Sequence, residues 1–158
     1  MVRVTAGHNT RISLAGLIAT RPGARPRLIY RTRTGGRRDG PKGFAETDYA
    51  RLLDAAHQQL GGPIVVVWDN LSTHRSRAMA TLIEARPWLT VFHLPPYAPE
   101  LNPVEGVWSC LKRSLANLVK QDIDQLTALV RTRLKRMQCR PGLISGFLAK
   151  TRLDLESP

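Results

Sequence analysis

Ile64-Val65-Val66-Val67-Trp68-Asp69 is an unbroken run of β-branched and aromatic residues closed by a carboxylate. Such a run suits a strand buried on both faces of a parallel sheet. Just upstream, Tyr49, Leu52, Leu53, Ala56 and Leu60 share one face of a 3.6-residue period. Thr47 or Asp48 can cap that helix, and Gly61-Gly62-Pro63 stops it. Downstream, Met79, Leu82, Ile83 and Arg86 mark another helix, ended by Pro87, and Leu89 to Leu94 reads as the next strand. The alternation of strand and helix predicts an α/β layer sandwich with parallel strands.

The flanks extend this core. Arg11 to Ala19 and Arg27 to Thr32 read as a hairpin joined through Thr20-Arg21-Pro22-Gly23, and Gly35 to Pro41 reads as a mobile basic arm. Three prolines between Pro95 and Pro99 exclude regular structure there. A helix starts at Asn102 with Val104, Val107, Trp108, Leu111, Leu115 and Leu118 on one face. The next opens at Asp122, where Gln125 completes a capping-box-like pair. Its stripe is Ile123, Leu126, Val130, Leu134 and Met137, and its other side carries Arg131, Arg133, Lys135 and Arg136. Pro141-Gly142 separates it from a short helix around Leu143 to Leu148.

The chain has 158 residues, 42% of them hydrophobic, which suits one folded domain. No apolar run approaches the roughly 18 residues of a membrane span, and the N-terminus carries no signal-peptide pattern. Two cysteines, Cys110 and Cys139, make neither a disulfide framework nor a Cys-rich zinc site. A soluble, intracellular protein with no membrane partner is expected. The formal charge of +12 is uneven: residues 1–43 carry +9, residues 44–108 carry −3 and residues 109–158 carry +6. Arginine outnumbers lysine 19 to 5, which suits bidentate contacts with phosphate. A solvated basic surface would account for one such run. For an excess this large, nucleic acid is the expected partner.

Two carboxylates stand out. Asp69 ends the central strand, and sites in open α/β sheets gather at the carboxyl ends of strands. Taken alone it reads more readily as an Asx-turn or capping residue before Asn70-Leu71-Ser72. Glu105 lies on the first turn of a helix, and with Asn102 as N-cap and Pro103 at N1 it would complete a capping box. Taken together, two carboxylates on separate rigid elements could converge on a hard divalent cation, beside basic segments that hold a phosphate backbone.

The segment Val66-Val67-Trp68-Asp69-Asn70-Leu71-Ser72-Thr73-His74 resembles the second-aspartate motif of DDE transposases of the mariner/Tc type and their bacterial insertion-sequence relatives. Leu94-Pro95-Pro96-Tyr97-Ala98-Pro99-Glu100-Leu101-Asn102-Pro103-Val104-Glu105-Gly106-Val107-Trp108 resembles the same family's third-carboxylate motif, and is long and specific. The resemblance implies a ribonuclease-H-like mixed sheet flanked by helices, with extra helices at the C-terminal end. It implies DNA cleavage and strand transfer at a site holding two Mg²⁺ or Mn²⁺ ions, with Asp69 and Glu105 as catalytic metal ligands. Implied partners are DNA, both transposon ends and target, together with a homodimer mate or a complementing upstream portion of a transposase. The implied location is the bacterial cytoplasm, at the nucleoid. His74, close to Asp69 in sequence, could touch DNA or a residue behind the metal ligands, but a lone polar surface histidine is the commoner case and it stays outside the catalytic set.

One part of the family pattern is absent. The family places its first aspartate on a first strand ahead of the hairpin, whereas the first acidic residue here is Asp39, in a Gly/Arg loop beyond it. The expectation is therefore a single catalytic domain over 1–158, N-terminally truncated and lacking its first strand. Residues 1–43 would be basic hairpin and arm, 44–118 the core with the acidic motifs, and 119–158 a basic helical tail. Two functional readings follow. One is a strand-cutting and strand-joining enzyme that takes a third acid from elsewhere; the other is a DNA-binding remnant without catalysis.

Overall fold

The structure, a computed structural model, describes residues 2–6, 10–36, 43–116 and 122–152. Three antiparallel strands open it: β1 (Val2–Ala6), β2 (Thr10–Ala19) and β3 (Arg27–Gly36), in the order β1-β2-β3. The β2–β3 hairpin follows the sequence reading, with Gly23 at φ 72 supplying the left-handed turn residue. The expected lack of a first strand needs refinement, because β1 pairs with β2 from Val2↔Leu14 to Ala6↔Thr10. What β2 lacks among the described residues is a neighbour along Gly16–Ala19 on that side. Most of the expected basic arm, residues 37–41, falls outside the described residues, while Gly35 and Gly36 belong to β3.

The α/β part then runs as α1 (Glu46–Leu60), β4 (Ile64–Trp68), α2 (Arg77–Glu84) and β5 (Leu89–His93). β4 and β5 pair in parallel from Ile64↔Leu89 to Trp68↔His93. α1 is not capped by Thr47 or Asp48 as expected. Ala45 is the N-cap, and the Asp48 carboxylate reaches back to accept from the Ala45 N–H at 3.0 Å. Gly61 closes the helix at φ 64, a left-handed value that favours glycine. Three helices complete the chain: α3 (Val104–Leu115), α4 (Ile123–Gln138) and α5 (Pro141–Lys150). Asp122 caps α4 by accepting from the Gln125 N–H at 2.8 Å. Pro141 and Gly142 do not separate two helices; they form the first turn of α5, where proline has no hydrogen-bonding N–H to lose.

Alternation along β2 divides the core into two layers. Ile12 and Leu14, with Leu28 of β3, pack against Val107, Trp108, Leu111, Val130, Leu134 and Ile144 of the three C-terminal helices. Ala15 and Ala19, with Ile29, pack on the other side with Leu52, Leu53 and Ala56 of α1, Met79 of α2 and the β4–β5 pair. Each fully buried leucine or isoleucine contributes about 1.5–3 kcal/mol. Two close approaches lock α3 in place. A methyl group at Gly106 would meet the Phe147 ring of α5 at 2.6 Å, and one at Gly16 would meet the Trp108 ring at 3.0 Å.

β4 departs from its reading as a strand buried on both faces. Ile64 and Trp68 are buried toward α1 and α2, but Val65 and Val67 are 65% and 49% exposed. The C-terminal helices cover β2 and β3, and nothing among the described residues covers these two valines.

One ion pair ties α1 to the end of α2. Asp54 accepts two hydrogen bonds from the Arg86 guanidinium, at 2.7 and 2.8 Å, and Arg86 also donates to the Leu82 carbonyl. The Arg86 hydrogen bonds hold the Asp54 carboxyl below the usual carboxylate range, against the opposing effect of burial. This stabilisation is complete above the ordinary carboxylate range and disappears as pH falls through the depressed folded-state value. Asp54 is 40% exposed, so solvent screening limits the pair to about 1 kcal/mol or less. Asp54→Asn should therefore lower the urea-unfolding free energy by about 0.5–1 kcal/mol at neutral pH. The gap from the unmodified chain should close in acid, as urea titrations at several pH values will read.

Candidate active site

The parallel ladder sets the height of Asp69. Beyond the last paired residues, the Leu94 N–H donates to the Trp68 carbonyl at 2.8 Å, and the Asn70 side-chain amide donates to the Leu94 carbonyl. The chain leaving β4 is thus strapped to the chain leaving β5, with Asp69 between the two ties. Its carboxylate accepts from the Leu71 N–H at 3.3 Å, the Asx-turn contact that the sequence suggested.

A stronger contact comes from His74, whose Nδ1 lies 2.8 Å from the Asp69 carboxylate and 3.2 Å from the Asp69 carbonyl. His74 is not the surface histidine of the sequence reading. It sits in a short 3₁₀ turn, Ser72–Arg75, and is only 7% exposed. Its ring stacks on Trp68 at 4.2 Å with a 5° interplanar angle, and meets Tyr49 of α1 edge-on at 4.6 Å. Two apolar aromatic surfaces bury the imidazole and leave Nδ1 to serve Asp69, while Nε2 is buried without a hydrogen-bond partner among the described residues. The His74 hydrogen bond is the chief reason that the Asp69 carboxyl is held below its usual range, with burial opposing it. Burial, followed by the Asp69 charge, pushes the Tyr49 hydroxyl up to about 12.

Glu105 occupies the first turn of α3, as its spacing implied, but the expected capping box does not form. The Asn102 N–H donates to the Pro99 carbonyl at 3.0 Å, so it is already partnered. Pro103, expected at N1, is itself the N-cap in place of Asn102, whose side-chain oxygen accepts from the Val104 N–H at 3.1 Å without help from Glu105. Asp69 and Glu105, separated by 35 intervening residues, line one pocket of about 220 Å³ with Asn70, Leu94, Tyr97 and Asn102. The two carboxylates are oxygen donors of the type a hard divalent cation takes. Among the described residues, no group of three or more His, Cys, Asp or Glu side chains is gathered to hold a metal.

Tyr97 escaped the sequence reading as a site residue. It adopts φ 59 inside the proline-rich loop, and its side chain is fully exposed at the pocket rim. Left-handed backbone is costly for an aromatic residue and often accompanies a functional site. The available signal was an aromatic residue set between prolines.

A sequence profile of the DDE superfamily endonuclease family matches residues 41–127, more than half of the chain, and the protein belongs to that family. The match spans both carboxylates. No curated protein matches the chain. Among solved structures, the Mos1 transposase catalytic domain with raltegravir and Mn is similar at TM-score 0.51 and 13% identity, over 92% of this chain and 84% of that one. The Mos1 mariner paired-end complex with Mn reaches TM-score 0.58 at 14% identity, over 96% of this chain and 45% of that one. The Mos1 paired-end complex with the left transposon end gives 0.56 at 13%, over 90% and 51%. At these identities the likeness is one of fold, and the mixed sheet with its helices is ribonuclease-H-like.

The role of His74 can be read directly. His74→Phe keeps an aromatic ring between Trp68 and Tyr49 but removes the bond to Asp69. The Asp69 carboxyl should then titrate at higher pH than in the unmodified chain, measurable by carbon-13 NMR of the side-chain carboxyl. An unchanged titration would mean that His74 does not hold the carboxylate.

Proposed function

We propose that this chain takes part in DNA transposition, cutting and joining phosphodiester bonds as one catalytic domain over residues 1–158 with Asp69 and Glu105 as its acidic ligands. The observation that carries this reading is the meeting of those two carboxylates, from separate elements, at one small pocket. Together they suit a Mg²⁺ or Mn²⁺ ion that fills its remaining positions with water and phosphate oxygen. Such an ion, when bound, supplies Lewis-acid stabilisation of charge on the reacting phosphate. The described residues add the scaffold. His74 fixes the Asp69 carboxylate, the Asn70–Leu94 tie fixes the backbone beneath it, and the first turn of α3 holds Glu105.

DNA is the polyanion that fits. The basic segments at 1–43 and 109–158 would hold the phosphate backbone, and the exposed ring of Tyr97 offers a stacking face to a base beside the pocket. That the matched Mos1 complexes contain transposon ends is in keeping with this partner. The reading places the protein on DNA in the bacterial cytoplasm. A second reading, DNA binding without cleavage, is favoured by the presence of two acids rather than three at the pocket among the described residues.

Metal-dependent nicking of transposon-end DNA separates the two. On the first reading, Asp69→Asn and Glu105→Gln each remove cleavage, cost Mn²⁺ affinity in EPR titrations, and leave DNA affinity within about twofold. DNA affinity equal in all three proteins, with no cleavage even by the unmodified chain, supports the second. If about six phosphates are contacted, affinity should fall about 10³-fold between 50 and 200 mM salt.

A further inference from the structure

β3 is the outer strand of its sheet. β2 pairs with it along its whole length, and no described strand lies on its other side. Two helices flank that margin, and both run antiparallel to it. On one face, Asp48 and the Gln59 carbonyl of α1 accept from Arg33 and Arg27, at 2.9 and 3.4 Å. On the other, Arg131 and Gln138 of α4 donate to the Thr32 hydroxyl and the Leu28 carbonyl, at 3.1 and 2.8 Å.

The charge along this margin has one sign. Residues 10–36 hold six basic side chains and residues 125–152 hold seven, with no acid in either stretch. Strand alternation puts Arg27, Arg31 and Arg33 on one face with Ile29, beside α1. Arg131 and Lys135, one helical turn apart, belong to the α4 side, where Lys135 donates to the same Gln138 side chain that holds Leu28. Asp48 neutralises Arg33. Arg27 and Arg131 each give the protein a single guanidinium N–H, and Arg31 gives none among the described residues. A guanidinium carries five such donors, so most of them point to solvent unused.

These features select the partner. A row of like charges repels a second copy of itself, and Gln138 already occupies the Leu28 carbonyl, so both oppose strand addition at this margin. A polyanion is attracted instead. Arg27 and Arg33 lie about 20 Å apart along the strand, a reach that takes in several phosphates of a duplex spaced by about 3.4 Å of axis per strand. Helices pack on both faces of β3, so it cannot enter a groove, and the contacts it offers are with phosphates, which carry no sequence information. β2 stands between this margin and β4, whose end carries Asp69.

We propose that the β3–α4 margin is a docking ridge for duplex DNA of any sequence, held through its phosphates by Arg27, Arg31, Arg131 and Lys135 and separate from the pocket of Asp69 and Glu105. That the polyanion is DNA rests on the proposed function; the ridge does not depend on cleavage at the pocket.

The test uses the 158-residue chain and fluorescence anisotropy on two labelled duplexes of equal length, a transposon end and an unrelated sequence, over a range of salt concentrations. Arg31→Gln combined with Arg131→Gln should lower the slope of log affinity against log salt by about 2 on both duplexes, because two phosphate contacts are lost. Arg31→Lys with Arg131→Lys keeps both charges and should keep the slope. Lys112→Gln with Arg113→Gln removes the same charge from exposed positions of α3, a helix that packs on β2, and should also keep it. Mn²⁺ affinity should be equal in all four proteins. The proposal is overturned if the glutamine pair on the ridge leaves the slope unchanged, if the α3 pair lowers it equally, or if the loss is confined to the transposon end. It is also overturned if polyglutamate displaces the unrelated duplex as well as unlabelled DNA does at equal charge, which would assign the ridge to an acidic protein. A lowered slope with no nicking by the unmodified chain keeps the ridge and removes the catalytic reading. Metal-dependent nicking with an unmoved slope does the reverse.

Discussion

The register of β4 against β5 governs the rest of the candidate site. Parallel pairing from Ile64↔Leu89 to Trp68↔His93, extended by the Leu94 N–H to the Trp68 carbonyl, ends both strands at one height. Asp69 emerges there, and so does the proline-rich segment that leads to Glu105. A slip of one residue would turn the side chains of β4 over, sending Trp68 out of the core and parting it from His74. The aromatic stack and the position of the carboxylate are thus consequences of one ladder.

Burial and polarity around Asp69 work against each other, and the balance is instructive. Desolvation alone would raise the carboxyl, yet the His74 bond outweighs it. A charged carboxylate is thereby kept at a half-buried position where it would otherwise tend to take up a proton. The cost falls on His74, whose Nε2 is buried unpartnered between Trp68 and Tyr49. Unsatisfied buried polar atoms are rare enough in folded proteins to mark places where packing serves something besides stability.

Gly16–Ala19 of β2 and Ile64–Trp68 of β4 border one cavity of about 910 Å³, each without a strand partner on that side among the described residues. Edges of two sheets lie beside each other with valines exposed between them, where stability alone would favour a closed sheet. The matched family segment, residues 41–127, takes in α1, β4, α2, β5 and α3.

Sequence alone determined the elements and their caps wherever local chemistry decides. The Ile64–Trp68 run, the period of α1, the Asp122 cap and the Gly61 stop all depend on neighbours a few residues away. The two acids were legible for the same reason, since each sits at an element terminus marked by its own motif. Tertiary structure decided what depends on partners distant in the chain. Whether Val65 and Val67 are buried depends on a neighbouring layer, whether Glu105 caps depends on Pro99 taking the Asn102 N–H, and whether His74 is a surface residue depends on Trp68 and Tyr49. Periodicity reports which side chains share a face; only packing shows what that face meets.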